Sequence, residues 1–102
     1  MCGIAGWVNN KRDIKEHVKI IEDMIQTLKS RGPDSKGLYA CENVLLGHRR
    51  LSIVDPEGGA QPMIKDIGND KYIIVYNGEL YNTEEIREKL LVKGYKFSSY
   101  SD

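Results

Sequence analysis

The feature that most restricts what this chain can fold into is a set of six apolar residues at helical spacing. Ile14, Val18, Ile21, Met24, Ile25 and Leu28 recur three and four apart, which lays them along one face of a helix that needs a partner surface. Lys29, Ser30 and Arg31 occupy its last turn, and Gly32-Pro33 stops it. Residues 3–8 form a short apolar run bounded by Asn9-Asn10, the pattern of a buried strand ending in a turn. Strand-like segments follow at 37–41, 43–47 and 50–54, then a Gly- and Pro-rich loop, PEGGAQP, at 56–62. YIIVY at 72–76 reads as a β-branched buried strand. Asn82, with Glu85 three residues on, predicts a capped helix through Ile86, Leu90 and Leu91 that ends at Gly94. YKFSS at 95–99 predicts a last strand. Strands outnumber helices and come in adjacent groups, so the expected class is α+β and not alternating βαβ. The sequence ends at Ser101-Asp102, just past that strand, with no closing helix, which would leave a sheet edge unpaired. The expectation is therefore a truncated domain.

Composition removes several functions. A chain of 102 residues holds one small domain or a piece of a larger one. Fifteen Lys and Arg balance fifteen Asp and Glu for a formal net charge of zero; no basic stripe offers a nucleic-acid surface and no acidic tail suggests a disordered segment. The two cysteines, Cys2 and Cys41, are too few for a disulfide framework. Together with His48 they lack ligand-like spacing, so no metal site is expected. The PEGGAQP loop has no Gly-Lys-Ser/Thr ending and is not a phosphate loop. The opening CGIAGWV has no positive segment before it and no cleavage site behind it. No apolar run approaches bilayer length. The expected compartment is the cytoplasm, where thiols stay reduced.

Several residues could carry chemistry. Cys2 can be a small buried hydrophobe. If Met1 is removed, it instead carries a thiol and a free α-amine on one residue. That amine titrates near about pH 8, roughly two units below lysine, and can take the thiol's proton directly or through a water. Asn77-Gly78, in YIIVYNGELYN, is a strong short hairpin signal. The same pair can aim a side-chain and a backbone N–H at an oxyanion. Arg49 and Arg50 point to opposite sides of an alternating strand, so at most one enters a given pocket; there it can grip a carboxylate in bidentate fashion. His48 reads as packed or hydrogen-bonded and not as a base. RGPD (31–34) is explicable as a helix stop and turn, Asp55 as a turn residue, and the charges from Glu84 to Lys89 as a solvated helix face.

Taken together, CGIAG (2–6), RGPD (31–34), HRRLSIVD (48–55), GGAQPM (58–63) and YNGELYN (76–82) resemble one family over nearly the whole chain. It is the N-terminal glutamine-hydrolysing domain of the glutamine-dependent asparagine synthetases, a class II amidotransferase of the N-terminal-nucleophile hydrolase superfamily. The resemblance implies a four-layer αββα sandwich with antiparallel sheets, only a portion of it present here, with residues 1–102 as the N-terminal portion of the domain. It implies Cys2 as the nucleophile and Asn77 with Gly78 as the oxyanion hole. Arg50 would hold the α-carboxylate of glutamine, with Leu51, Ser52, Ile53 and Val54 continuing that wall. Glu79 would contact the amino-group end, and Asp102, in the first half of a Ser-Asp-x-Glu element, would bind the α-amine. The implied partners are L-glutamine, a C-terminal synthetase domain and a possible second copy of the chain as a homodimer. ATP and magnesium are expected in that synthetase domain, which this chain lacks, and no cofactor is expected here.

Two other readings stay open. Amidotransferase domains that feed glucosamine-phosphate or purine synthesis share the N-terminal Cys-Gly-Ile and the Asn-Gly, although RGPD and HRRLSIVD with GAQPM favour the asparagine synthetase type. A chain that kept Met1 would have no α-amine on Cys2 and would serve only as a catalytically silent interaction module.

Overall fold

The computed structural model describes residues 2–51 and 59–97. Among them the order is β1 (Gly3–Val8), a 3₁₀ turn at Lys15–His17, α1 (Val18–Gln26), β2 (Ser35–Ala40), β3 (Val44–Arg50), β4 (Met63–Ile67), β5 (Asp70–Ile74) and α2 (Thr83–Val92). The expected α+β class holds, and the strands pair antiparallel among the described residues.

The apolar stripe finds its partner in a three-stranded sheet ordered β1-β3-β2. Ile14, Ile21 and Ile25 are buried against Leu45 of β3, with Ala5, Trp7, Leu38 and Ala40 packed around them. Each fully buried aliphatic side chain contributes about 1.5–3 kcal/mol, which fixes α1 on this face. The register explains the set: Trp7 lies opposite Leu45, and Ala5 opposite Gly47. Opposed residues share a face and their neighbours take the other one. Gly47 sets the approach distance. A Cβ there would run into the Cγ2 methyls of Ile21 and Ile25, so only glycine lets α1 sit this close.

The helix is shorter than its periodicity predicts. Regular structure stops at Gln26, and residues 27–31 continue as tighter turns; Leu28 N–H donates to the Ile25 carbonyl (3.0 Å) and Arg31 N–H to the Leu28 carbonyl (3.0 Å). Thr27 accounts for the change. Its hydroxyl (2.6 Å) and its N–H (3.2 Å) both donate to the Met24 carbonyl, a local bond that competes with the α-helical ladder.

The boundary expected between strands 43–47 and 50–54 is corrected, since β3 runs unbroken from Val44 to Arg50; residues 52–54 lie outside the described residues. The hairpin of β4 and β5 was not expected. Ile67 pairs with Asp70 across Gly68-Asn69, and Gly68 has φ +61°, which a two-residue hairpin requires. The buried strand expected at 72–76 is corrected on both counts. It runs over 70–74 and is largely exposed, with Tyr72 57% and Ile74 54% accessible. Among the described residues it pairs with β4 alone. It stops before Tyr76 because a side chain takes over the ladder, as described below.

α2 begins where expected, but Asn82 makes no side-chain cap; Thr83 Oγ1 donates instead to the Leu80 carbonyl. Its end is a Schellman closure: Tyr95 N–H reaches the Leu90 carbonyl (3.0 Å) and Gly94 N–H the Leu91 carbonyl (3.0 Å), with Gly94 at φ +92°. That closure uses Tyr95, so residues 95–97 form no strand; Ser98 and Ser99 lie outside the described residues. No helix among the described residues is long and apolar enough to cross a membrane.

Candidate active site

β3 ends in three consecutive polar residues, all buried: His48 is 1%, Arg49 6% and Arg50 5% accessible. The alternation expected for the arginines is what the structure shows. Arg49 turns toward the helix side, where its Nε–H donates to the Gly32 carbonyl (2.9 Å). His48 lies opposite Ile4 and Gly37, on the face away from α1, and Arg50 shares that face by strand alternation.

Cys2 precedes β1, and continuing the register by one residue from Gly3 opposite Arg49 sets it opposite Arg50. Its thiol is held on both sides by one residue. Leu51 N–H donates to Sγ (3.4 Å), and the S–H donates to the Leu51 carbonyl (3.8 Å). Arg31 Nε–H donates to the Cys2 carbonyl (3.2 Å), while Asp34 N–H donates to the Arg50 carbonyl (2.9 Å). RGPD is therefore more than a helix stop: it braces Cys2 and the end of β3 together. Sequence reasoning missed Arg31; the signal was a tight four-residue block between helix and strand.

The other half of the site centres on the backbone of Tyr76. Its N–H donates to Gln61 Oε1 (2.5 Å), and its carbonyl accepts from Gln61 Nε2 (3.1 Å) and from His48 Nε2 (3.2 Å). The side-chain amide of Gln61 thus replaces the neighbouring strand that β5 lacks at this point. Asn77 follows, half-buried, and its side chain makes no hydrogen bond among the described residues. Gly78 sits at a bend beneath the Tyr76 ring, where a Cβ would lie 2.8 Å from the hydroxyl oxygen. Gly78 is not a positive-φ glycine, so Asn77-Gly78 is not the two-residue hairpin turn that the dipeptide signals. Glu79 is exposed. Cys2, Arg50 and Leu51 are brought together; Asn77, Gly78 and Glu79 form a separate group tied to β3 through Tyr76. Ser52, Ile53, Val54 and Asp102 lie outside the described residues.

His48 is hydrogen-bonded and buried, as its reading predicts. A carbonyl only accepts, so Nε2 carries the proton and Nδ1 is left as a buried acceptor without a partner among the described residues. Burial pushes the imidazole below its ordinary value of 6.5; the bond to Tyr76 opposes this and the Arg50 charge adds to the fall. Below 6.5 the unfolded chain then binds more protons than the folded one, so stability declines as pH drops. The urea midpoint is expected to be level above about pH 7 and to fall below about pH 6.5. His48→Gln, which keeps a donor and cannot titrate, is expected to flatten that stretch of the curve. An identical slope in both proteins would assign it to other groups.

Among the described residues, no three His, Cys, Asp or Glu side chains gather as metal ligands. The site is instead a braced thiol, a buried guanidinium and an unengaged amide. The glutamine amidotransferase domain family matches this chain over residues 1–102. The chain belongs to that family. As a glutamine amidotransferase domain it is similar throughout to asparagine synthetase 3 (glutamine-hydrolyzing) of Bacillus subtilis, 46% identical over 102 residues and 17% of that protein's length. It is also similar to asparagine synthetase B (glutamine-hydrolyzing) of Escherichia coli K12, 37% identical over 102 residues and 18% of its length. A third relative is asparagine synthetase 1 (glutamine-hydrolyzing) of Arabidopsis thaliana, 40% identical over 104 residues and 17% of its length. In each of the three cases all of this amidotransferase chain is covered, so it spans under a fifth of the curated relatives it matches.

Proposed function

We propose that this domain hydrolyses L-glutamine and supplies the released ammonia to an asparagine synthetase. The observation that carries the reading is the Cys2 thiol, held by both backbone groups of Leu51 directly after buried Arg50, in a chain matched end to end by the family. Residues 1–102 are then the N-terminal portion of a larger amidotransferase domain. α1 on its sheet would be two layers of a four-layer αββα sandwich, and β4–β5 would belong to the second sheet. A synthetase domain using ATP and magnesium, and converting aspartate to asparagine, would follow in the same polypeptide. A homodimer and a cytoplasmic location belong to the same proposal.

The chemistry follows from these groups. Loss of Met1 frees the α-amine of Cys2, which takes the thiol proton as sulfur adds to the side-chain amide carbon of glutamine. The Asn77 amide and the Gly78 N–H stabilise the oxyanion. The protonated amine returns its proton to the leaving nitrogen, and ammonia departs. Water then cleaves the γ-glutamyl thioester, releasing glutamate and the thiol. Arg50 binds the α-carboxylate beside the wall of Leu51, Ser52, Ile53 and Val54. Glu79 and Asp102 take the amino end.

The test is covalent. A diazoketone analogue of glutamine is expected to add to Cys2 and not to Cys41, located by peptide mapping, with protection by excess glutamine. Equal labelling of both thiols, or labelling that glutamine does not protect, would sink the assignment. Arg50→Lys keeps the charge and loses the planar fork. It is expected to raise KM for glutamine by about 10–100-fold, the worth of one or two charge-assisted hydrogen bonds, with kcat changed far less.

A further inference from the structure

The GAQP segment remains without a role in the chemistry above, although its glutamine makes two of the three hydrogen bonds on the Tyr76 backbone. Gln61 spans both polar atoms of that residue with one amide plane. His48, three residues before the Leu51 that holds the thiol, supplies the third bond. Tyr76 is the residue immediately before Asn77. We propose that Gln61 and His48 are positioning residues, which set the Asn77-Gly78 donors in register with the Cys2 thiol by clamping Tyr76 to β3.

The path is short and made of stiff pieces. The thiol is bonded to Leu51, three residues along the chain lead back to His48, and the imidazole bonds the Tyr76 carbonyl. A backbone carbonyl that accepts two donors while its own N–H is also held cannot rotate about the strand axis. The clamp is built into the sheet as well. Gly37 lies opposite His48, and the space a Cβ would fill there is taken by the Gln61 carbonyl, with Pro62 Cδ 2.8 Å from the same point. Glycine at 37 is what lets the loop carrying Gln61 lie directly on the face that bears His48. Neither side chain has to touch substrate: each acts through Tyr76. An oxyanion hole works by donors fixed before the charge appears, and displacement by about 1 Å costs on the order of 10²-fold in rate.

This inference rests on the glutaminase reading, and the experiment separates the two. In the natural full-length protein carrying this sequence, Gln61→Ala is expected to lower kcat for glutamine hydrolysis by about 30–100-fold with KM within about threefold. Alkylation of Cys2 by iodoacetamide, a direct displacement at carbon that generates no oxyanion, is expected to stay within about twofold of wild type. Gln61→Met keeps the length of the side chain without its hydrogen bonds, and carries the test if the alanine variant does not fold. His48→Gln, retaining a donor near the Nε2 position, is expected to keep more of kcat than His48→Leu. A kcat within about threefold of wild type for both Gln61 variants overturns the proposal alone. A parallel fall in kcat and alkylation also overturns it, since that marks a collapsed pocket. Wild-type protein that does not hydrolyse glutamine overturns both readings.

Discussion

Cys2→Ser is expected to reduce glutamine hydrolysis by about 10⁴–10⁶-fold, the scale on which loss of a nucleophile acts in hydrolases. The serine fits the same space and can keep both bonds to Leu51, so the fold and the binding of glutamine are expected to persist. What disappears is the chemistry. An α-amine titrating near about pH 8 is a poor base for an alcohol and an adequate one for a thiol. Glutamate release measured beside glutamine affinity by calorimetry separates the two effects. A protein that retains Met1, or any uncleaved extension, is expected to show the same loss with the thiol intact, because the proton acceptor has moved off Cys2. Cys41→Ser is expected to remain within about twofold of wild type, since a half-buried cysteine remote from the site behaves as a small hydrophobe. If Cys2→Ser kept a tenth of the activity, the nucleophile would lie elsewhere.

Gly32→Ala is expected to produce a large loss of stability from a small change. A Cβ at residue 32 would fall on the backbone carbon and oxygen of Arg49, with Arg50 N scarcely farther. No side-chain rotation relieves a contact with backbone, so either β3 or the RGPD segment has to shift. Overpacking of this kind costs about 1–3 kcal/mol, and more where the obstacle is rigid. Such a shift also lengthens the bond from Arg49 to the Gly32 carbonyl, leaving a buried guanidinium short of a partner. The denaturation midpoint in urea reads the first effect. The second appears in activity, because Leu51 follows Arg50 and carries the thiol. An unshifted midpoint would mean that the segment moves freely, contrary to the close approach of Gly32 to the Arg49 backbone.

The regions of the molecule that were legible in the sequence are those decided by local pattern. The apolar spacing places α1, which keeps Val18, Ile21, Met24 and Ile25 of the six; the run at 3–8 gives β1 but not a buried strand, because Ile4 and Val8 are exposed on the face away from the helix. Gly94 announced the end of α2 because a left-handed cap has few alternatives. The β4–β5 hairpin carried a signal in Gly68-Asn69, but its flanking residues alternate weakly, and Met63–Ile67 suggested no element of its own. Asn77-Gly78 pointed locally to a hairpin and globally to donors for an oxyanion. The local reading failed because Tyr76 is already engaged by Gln61 and His48, and among the described residues the next element is a helix. Gln61 itself sits 15 residues from Tyr76, a distance at which periodicity carries no information. Only the recurrence of GAQP among blocks of known order marked it, and that mark gave no geometry.

Gly47 bears on how such chains diverge. Its missing side chain is demanded by two isoleucine methyls across the helix–sheet contact, and none of that demand comes from glutamine. In a duplicated gene released from catalysis, selection for a folded product would still hold Gly47 in place while Asn77 was free to drift. A degenerate copy that retained Gly47 would therefore testify to a preserved scaffold and say nothing of turnover. A copy that lost it would be expected to compensate at position 21 or 25, trading isoleucine for alanine, which makes those three positions a small covarying unit independent of the enzyme's chemistry.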